Sequence, residues 1–452
     1  MISQRYGDLE LGFTTNFVEQ RFNTHLGETT LGFWRPIAPA GWSVLGTYWT
    51  GGGAGSEYDP RGKHGGLIVK DASSAGLLRP PVDYELIWSY FVYPSYRFAS
   101  LWRPIPPAGY VALGDYFQGG TDKPPADAMV CVKKTHQGRD LVREGETSRG
   151  PLFALNYGGL VSGWTIVAPP YPNGDLDEHL YVPTGLHTAV TGWDRPSPTA
   201  VTWVLDLPAV VEEGPDPELP VLHSYDAPPE QTVVTDRIVT VPYFMVKDTD
   251  RDEKWKVDNS PFYKLRRKRH YELILFRDNE HGSESQTASE AIETGVSTSM
   301  EESFSETTGI TVGFSMGVEA SAKPFGMGVS TTMESSVSTA IELGYERRYG
   351  VTSMESTTIT QQLTIPPRSS GALWMERHEL LPVRADGAMV STDGKLPFRT
   401  KIYRTGQYPP ASESGEKIGY QELAPNGQPL PEALRQAIPA PEETKPDETL
   451  TA

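Results

Sequence analysis

The sequence predicts an all-β protein, and three observations carry that prediction. Gly (44 residues) and Pro (39) are both frequent in a chain of 452, which punctuates it into short strands and turns. No long stretch keeps the helical spacing of apolar residues. A strand-rich aromatic block occurs twice, and an apolar/polar alternation, strict from Ile310 to Ala322 and interrupted at Thr331, Ser335 and Thr339 thereafter, runs to Leu343. The expected organisation is a repeat β domain over 1–210, a Pro- and acid-rich linker over 211–230, an elongated β-sheet domain over 231–408 and a Pro/Glu-rich tail over 409–452.

Length allows two or three domains, each with its own core. The formal net charge of -18 argues against nucleic acid as a partner, since phosphate contacts need a basic face. A single cysteine, Cys131, excludes an intrachain disulfide and a cysteine-rich zinc site, and reads as a buried small hydrophobe. The N-terminal MISQRYGDLELGF lacks the basic-then-apolar layout of a secretory signal. No run of about 18 apolar residues could form a membrane-spanning helix. Contact with a bilayer would need a barrel or a surface-bound element.

In the first domain, FWRPIAPAGWSVLGTYWTGG from Phe33 and LWRPIPPAGYVALGDYFQGG from Leu101 match over their whole length. Each leads to a short apolar strand, GLIVKD and AMVCVKK, so each copy is a multi-strand block. SGWTIVAPPYPNG, from Ser162, reads as a degenerate third copy, and a prism of three similar sheets suits such repeats. Eight of the ten tryptophans lie before residue 210. Most are expected to fill the core; Trp34, Trp49, Trp102, Tyr110 and Trp193 are the candidates for a surface that docks a sugar or a protein receptor.

LPAVVEEGPDPELPVLHSYDAPPE, from Leu207, reads as the linker. TVVTDRIVTVPYFMV and SPFYKLRRKRHYELILF then read as strands. Along the strand that carries RRKR (Arg266–Arg269), alternation turns Lys264, Arg266 and Lys268 outward, a reading preferred to a protease site. Ile292, Val296, Met300 and Phe304 also fit a helical i,i+4 spacing, but the surrounding Ser, Thr and Gly favour a strand there.

The alternation starts with apolar Ile310, Val312, Phe314, Met316, Val318, Ala320 and Ala322, with Thr, Gly, Ser and Glu between them. Lys323-Pro324-Phe325-Gly326 fits a four-residue turn, and the phase resumes through Met327, Val329, Met333, Val337, Ile341 and Leu343. One face of the hairpin is mainly apolar, and the other carries Glu319, Glu334 and Glu342. Each arm reaches about 43 Å, enough to cross a bilayer when tilted. One hairpin leaves unpaired edges in lipid, so several subunits would have to close a barrel. An ordinary amphipathic hairpin over a soluble core, or a Ser/Thr stalk, is the alternative reading of the same pattern.

The Trp-Arg-Pro blocks, with RPPVDYELIW from Arg79 and AMVCVKK, resemble the family named for vacuolar protein sorting-associated protein 62, over most of 20–210. The Ser/Thr-rich strands, the alternating hairpin and LTIPPRSSGALW resemble aerolysin-type β-pore-forming toxins over about 235–406. Together they are similar to bacterial insecticidal proteins joining such a repeat domain to a pore-forming module. The resemblance implies an aerolysin-like second domain that inserts the 310–343 hairpin, a target membrane and receptor, a homo-oligomeric pore, and action outside the producing cell. It supplies no catalytic residues and no cofactor. In that pore Glu319, Glu334 and Glu342 would line the lumen and favour cations. A tail removed on activation and a separate second toxin component are further expectations. The rival reading is a lectin-like binding protein whose second half is a stalk.

Enzyme chemistry finds no foothold. In GGGAGSEYDPRGKHGG the Gly spacing is too long for a phosphate loop, and His64 stands where Ser or Thr would bind magnesium. In DTDRDEKWKVDN, Glu253 replaces the glycine of a calcium loop and Asn259 its bidentate glutamate.

Overall fold

The computed structural model describes residues 1–22, 31–52, 55–92, 97–156, 158–169, 179–197, 202–310, 356–411 and 415–423. The all-β expectation holds: the chain is antiparallel β throughout, with two short α-helices among the described residues.

The repeat closes three times, the degenerate copy read at Ser162 supplying the third. A leading hairpin, β1 (Ser3–Tyr6) and β2 (Leu9–Thr14), precedes the first copy: β3 (Phe17–Phe22), β4 (Leu31–Pro36), β5 (Ser43–Val44), β6 (Tyr48–Trp49) and β7 (Gly66–Asp71). After β8 (Leu78–Arg79), the second copy contains β9 (Asp83–Val92), β10 (Arg97–Ile105), β11 (Tyr110–Val111), β12 (Tyr116–Gln118) and β13 (Cys131–Lys133). A small hairpin, β14 (Thr135–His136) and β15 (Arg139–Asp140), then β16 (Val142–Thr147), lead to the third: β17 (Phe153–Asn156), β18 (Leu160–Val167), β19 (His179–Val182), β20 (His187–Thr191) and β21 (Thr202–Pro208).

The same pairings recur in each copy. β3-β4-β6, β9-β10-β12 and β17-β18-β20 form one kind of sheet; β2-β7-β5, β8-β13-β11 and β16-β21-β19 form the other. Register agrees to the residue, with Trp34 opposite Tyr48, Trp102 opposite Tyr116 and Trp164 opposite Thr188. The degenerate third copy therefore keeps the backbone pattern after losing most of the sequence signal.

Side chains where the copies meet are complementary rather than alike. Leu186 occupies the position held by Gly46 and Gly114 in the other copies, and it fills the space both glycines leave. A Cβ on Gly114 would lie 2.6 Å from the Leu186 Cβ, and one on Gly46 would lie 3.1 Å from its Cδ2. Nearby, Phe33 stacks on Phe117 with centroids 3.6 Å apart, while Phe153 meets Phe33 edge-on at 5.1 Å. Such close packing is what lets three short-stranded units share one dry core.

Beyond it, β22 (Val210–Glu213), β23 (Val234–Pro242), β24 (Phe262–Asn279), β27 (Ser369–Val383) and β28 (Leu396–Tyr408) form a five-stranded sheet in that order. A second sheet runs β25 (Gln286–Thr294), β26 (Thr357–Ile365), β29 (Gly419–Leu423). The Pro- and acid-rich stretch 211–230 is packed as well as connecting. It opens within β22, Leu222 is buried beside Trp374, and the Tyr225 ring meets Tyr408 edge-on at 5.0 Å.

One core runs through both regions. Phe13 of β2 packs against Tyr243, Phe244 and Phe262 at 4.9–6.0 Å, and the Tyr6 hydroxyl donates to the Thr240 carbonyl. Helix α1 (Glu253–Asn259) begins at an Asp252 cap that accepts from the Trp255 N–H at 2.7 Å. Its Glu253 accepts from the Gly65 N–H (2.9 Å) and the Tyr243 hydroxyl (2.6 Å) and meets His64 at 2.6 Å. The glycine-rich loop that invites a phosphate reading is thus clamped onto the second region by one carboxylate.

Candidate membrane-insertion and docking sites

The stretch 297–355, which contains the predicted insertion segment, is bracketed by neighbouring points of the fold. β25 and β26 pair antiparallel from Gln286 opposite Ile365 to Thr294 opposite Thr357. Beyond that end the Ser356 N–H donates to the Val296 carbonyl at 3.1 Å. Val296 is fully buried, as are Phe304 and Ile310 within about two per cent. Of the predicted hairpin, Ile310 alone is described, and it is a core residue here. Val312, Phe314, Met316, Val318, Glu319, Ala320, Ala322, Pro324, Phe325, Met327, Val329, Met333, Glu334, Val337, Ile341, Glu342 and Leu343 lie outside the described residues.

The stretch leading into it corrects one expectation. Residues favoured as strand form helix α2 (Thr298–Thr308). Ser297 caps it by accepting from the Met300 N–H, and Gly309 ends it in the left-handed conformation at φ 72°, which a Cβ disfavours. The helix is fixed by tertiary contacts more than by propensity: Phe304 and Thr308 are buried, and the Lys247 N–H donates to the Thr308 carbonyl at 2.7 Å. Ser297 and Gly309 were the available signals, an N-cap and a C-terminal glycine at helical separation.

The basic run of β24 divides by face. Lys264, Arg266 and Lys268 are partly exposed, as alternation requires, whereas Arg267 and Arg269 are buried. Arg267 grips Asp236 with two hydrogen bonds (2.8 and 2.6 Å). Arg269 reaches Asp236 at 2.7 Å, Glu376 at 2.5 Å and Asp216 at 3.0 Å. His378, fully buried, meets the same Glu376 oxygen at 2.9 Å. Burial pushes the Asp236 carboxyl up, but the two guanidiniums more than reverse this and hold it below the usual carboxylate range. Burial keeps His378 neutral by lowering its pKa, against the opposing pull of Glu376. With both neighbours of β24 paired along it, this run is no protease site in the folded chain.

The calcium-loop residues are engaged otherwise. Asp248 accepts from Arg384 at 2.7 and 2.8 Å and from the Tyr263 hydroxyl at 2.7 Å. Cys131 is buried, and burial raises its thiol to about 12, which leaves it an inert apolar side chain.

Among the docking candidates, Trp34, Trp102 and Tyr110 are core side chains, a correction to their expected role. The indole N–H of Trp34 donates to Thr50 Oγ1 at 2.8 Å, and that of Trp102 to Ser100 Oγ at 2.7 Å; the Tyr110 hydroxyl donates to the Gly76 carbonyl. Rings that are buried with their polar ends satisfied offer no face to a partner. Trp49 is half-buried against the shared aromatic core, and Trp193 is 54% exposed.

Between the second and third copies lies a cavity of about 190 Å³ that the sequence did not disclose. Its base is an ion pair: Arg103 donates to Asp115 through Nε (3.2 Å) and Nη2 (3.0 Å), and to the Ala189 carbonyl at 2.6 Å. Trp203, Thr188, Thr202 and Ile166 contribute to the wall.

Two family models match the chain. Residues 7–149 match vacuolar protein sorting-associated protein 62, and residues 234–367 match the insecticidal crystal toxin P42. Among solved structures, GNIP1Aa from Chromobacterium piscinae aligns at 22% identity and a TM-score of 0.31, over 41% of this chain and 34% of that one. The chain thus spans about a third of that protein's length. Cry35Ab1 aligns at 10% identity and a TM-score of 0.32, over 89% of this chain and 92% of that one. No curated protein sequence matches. The chain thus joins a region similar to the vacuolar protein sorting-associated protein 62 model to a region similar to the insecticidal crystal toxin P42 model.

Proposed function

We propose that this protein is a non-enzymatic insecticidal toxin that acts outside the cell producing it by forming a β-barrel pore. The repeat region, closed in a prism-like way, binds a glycan or protein receptor on the target membrane. Subunits then oligomerise, and the 310–343 hairpins leave the soluble fold to line a shared barrel, with Glu319, Glu334 and Glu342 facing water and selecting cations. The observation that carries the reading is the apolar/polar alternation of 310–343, strict as far as Ala322 and interrupted at Thr331, Ser335 and Thr339, in the stretch that runs from β25 through helix α2 to the strand β26 with which β25 is already paired. Once helix α2, which stands between β25 and Ile310, unwinds, that paired stem can lengthen by adding residue pairs. The insecticidal-toxin match over 234–367 covers both stem strands and supports this assignment.

The tail beyond residue 409 is the proposed activation segment. Its strand β29 covers the free side of β26, and proteolysis would uncover a strand edge able to pair with another subunit.

The test is dye release from liposomes carrying target gut-membrane extract, before and after limited proteolysis. It uses a Cys131→Ser background in which Gly317→Cys and Thr332→Cys staple the two arms. Release by the reduced protein is expected, and by the oxidised protein too, because the staple joins residues that stay opposite each other in the barrel hairpin. No release by any form, with or without protease, would overturn the pore reading and leave a lectin-like binding protein or one member of a two-component toxin.

A further inference from the structure

The cavity between copies two and three is placed and furnished as a binding site. At two matching positions only the second copy sets a cation against an anion. Arg35 and Thr47 stand in the first, Arg103 and Asp115 in the second, and Thr165 and His187 in the third, as the shared register fixes. Burying a carboxylate is costly unless it is paired, and the other two copies close without such a pair, so the fold does not require Arg103 and Asp115. Asp115 is 3% exposed, while the Arg103 side chain beside it remains 44% exposed.

The hydrogen-bond inventory defines the ligand chemistry. The Asp115 carboxylate accepts from Arg103 twice, from the Ala189 N–H at 2.6 Å and from Thr188, which leaves little acceptor capacity. Arg103 has used Nε and Nη2, but its Nη1 has no partner among the described residues. The Thr202 hydroxyl donates to the Gly145 carbonyl at 2.7 Å, so its oxygen can still accept a bond. The cavity thus offers donors from one side, hydroxyl acceptors from the other, and the Trp203 ring in the wall. Its charge is already balanced: an anion would gain little from a guanidinium clamped by a carboxylate and would face that carboxylate across the cavity.

We infer that this cavity is a subsite for a single neutral sugar residue, the terminal unit of a glycan on the target surface. This rests on the reading that the repeat region engages the target, and names where and with what chemistry it does so. A ring with hydroxyls at its edge and an apolar face matches a donor–acceptor base with an aromatic wall. The small volume limits it to one unit.

Saturation-transfer NMR on the full chain, with galactose, mannose, N-acetylgalactosamine and N-acetylglucosamine as neutral probes and N-acetylneuraminic acid as the anionic one, tests this. Two variants accompany it: Trp203→Ala, and the pair Arg103→Met with Asp115→Thr, which gives the second copy the residue the first already holds at 47. The paired change leaves no orphaned charge, and thermal melting confirms that both fold. At least one neutral sugar is expected to bind the wild type, at least tenfold more weakly in both variants. Equal binding by folded variants overturns the subsite while leaving sugar docking by the repeats intact. Preference for the anionic probe overturns the neutral-ligand assignment. If no probe binds, the subsite is overturned, and leakage from gut-membrane vesicles with and without prior deglycosylation decides the broader reading. Leakage lost on deglycosylation keeps a glycan receptor, and leakage unchanged removes it.

Discussion

His187 should make the repeat region acid-sensitive by an amount that follows from its burial. The side chain is fully buried, and neither ring nitrogen has a hydrogen-bond partner among the described residues. Phe153 and Phe33 flank it at 5.3 and 5.9 Å. Desolvation lowers its pKa to about 4, against about 6.5 in an unfolded chain. Between those values the unfolded state binds a proton that the folded state does not, so stability rises with pH across the window. The contribution is complete above about pH 6.5 and is lost as pH falls towards 4. At about 1.4 kcal/mol per pK unit the whole window is worth about 3 kcal/mol, and about 2 kcal/mol is gone by pH 5. Urea unfolding followed by tryptophan fluorescence at about pH 7.5 and pH 5 measures this, with His187→Leu as the non-titrating reference. Carboxylates and the buried His378 titrate in both proteins, so the difference between the two pH slopes isolates His187. Equal slopes, or an imidazole nitrogen shift showing protonation near pH 6 in the folded protein, would refute the reasoning.

Gly114→Ala should cost about 1–3 kcal/mol by forcing a methyl against Leu186. Leu186→Ala should relieve part of that cost, so thermal melts of the double variant should show non-additivity of about 1 kcal/mol. Asp236→Ala should destabilise the second region by about 3–5 kcal/mol, because it strips Arg267 and Arg269 of a buried acceptor. Arg266→Ala on the outer face should stay within about 0.5 kcal/mol in the same denaturation assay. In planar bilayers, Glu334→Gln should move the reversal potential towards zero under a salt gradient. An anion-selective wild type, or an unmoved potential, would remove the carboxylates from the lumen.

Periodicity made the β class, the repeat and the outward face of β24 legible, because each depends on neighbours along one strand. It could not reveal what Arg267 and Arg269 meet inside. Their partners come from β23 and β27 and are fixed only once the strands are in register. The same limit explains the docking residues. Trp34 and Trp102 look like ideal contact aromatics in sequence, yet each finds a nearby hydroxyl for its indole N–H and is drawn into the core. Helix α2 was missed for a different reason. Its Ser, Thr and Glu content says little about conformation, and burial of Phe304 decides the outcome.

The third copy shows how much sequence a repeat can lose while its backbone persists. Trp164 keeps both its register and its hydroxyl partner, donating to Ser162 Oγ at 3.0 Å as Trp102 does to Ser100. Its neighbour has become Gly163, where a Cβ would lie 2.1 Å from the Phe153 ring. Phe153 therefore supplies from β17 the bulk that Phe33 and Leu101 supply from the matching position in the other copies. Leu186 does the same for Gly46 and Gly114. Identity is lost where volume can be passed between copies, and the tryptophan is retained with its N–H bonded to a hydroxyl, which comes from Thr50 in the first copy and from Ser100 and Ser162 in the others. The positions free to differ in chemistry, such as Thr47, Asp115 and His187, are then those at which one copy can acquire a binding function without the others losing their packing.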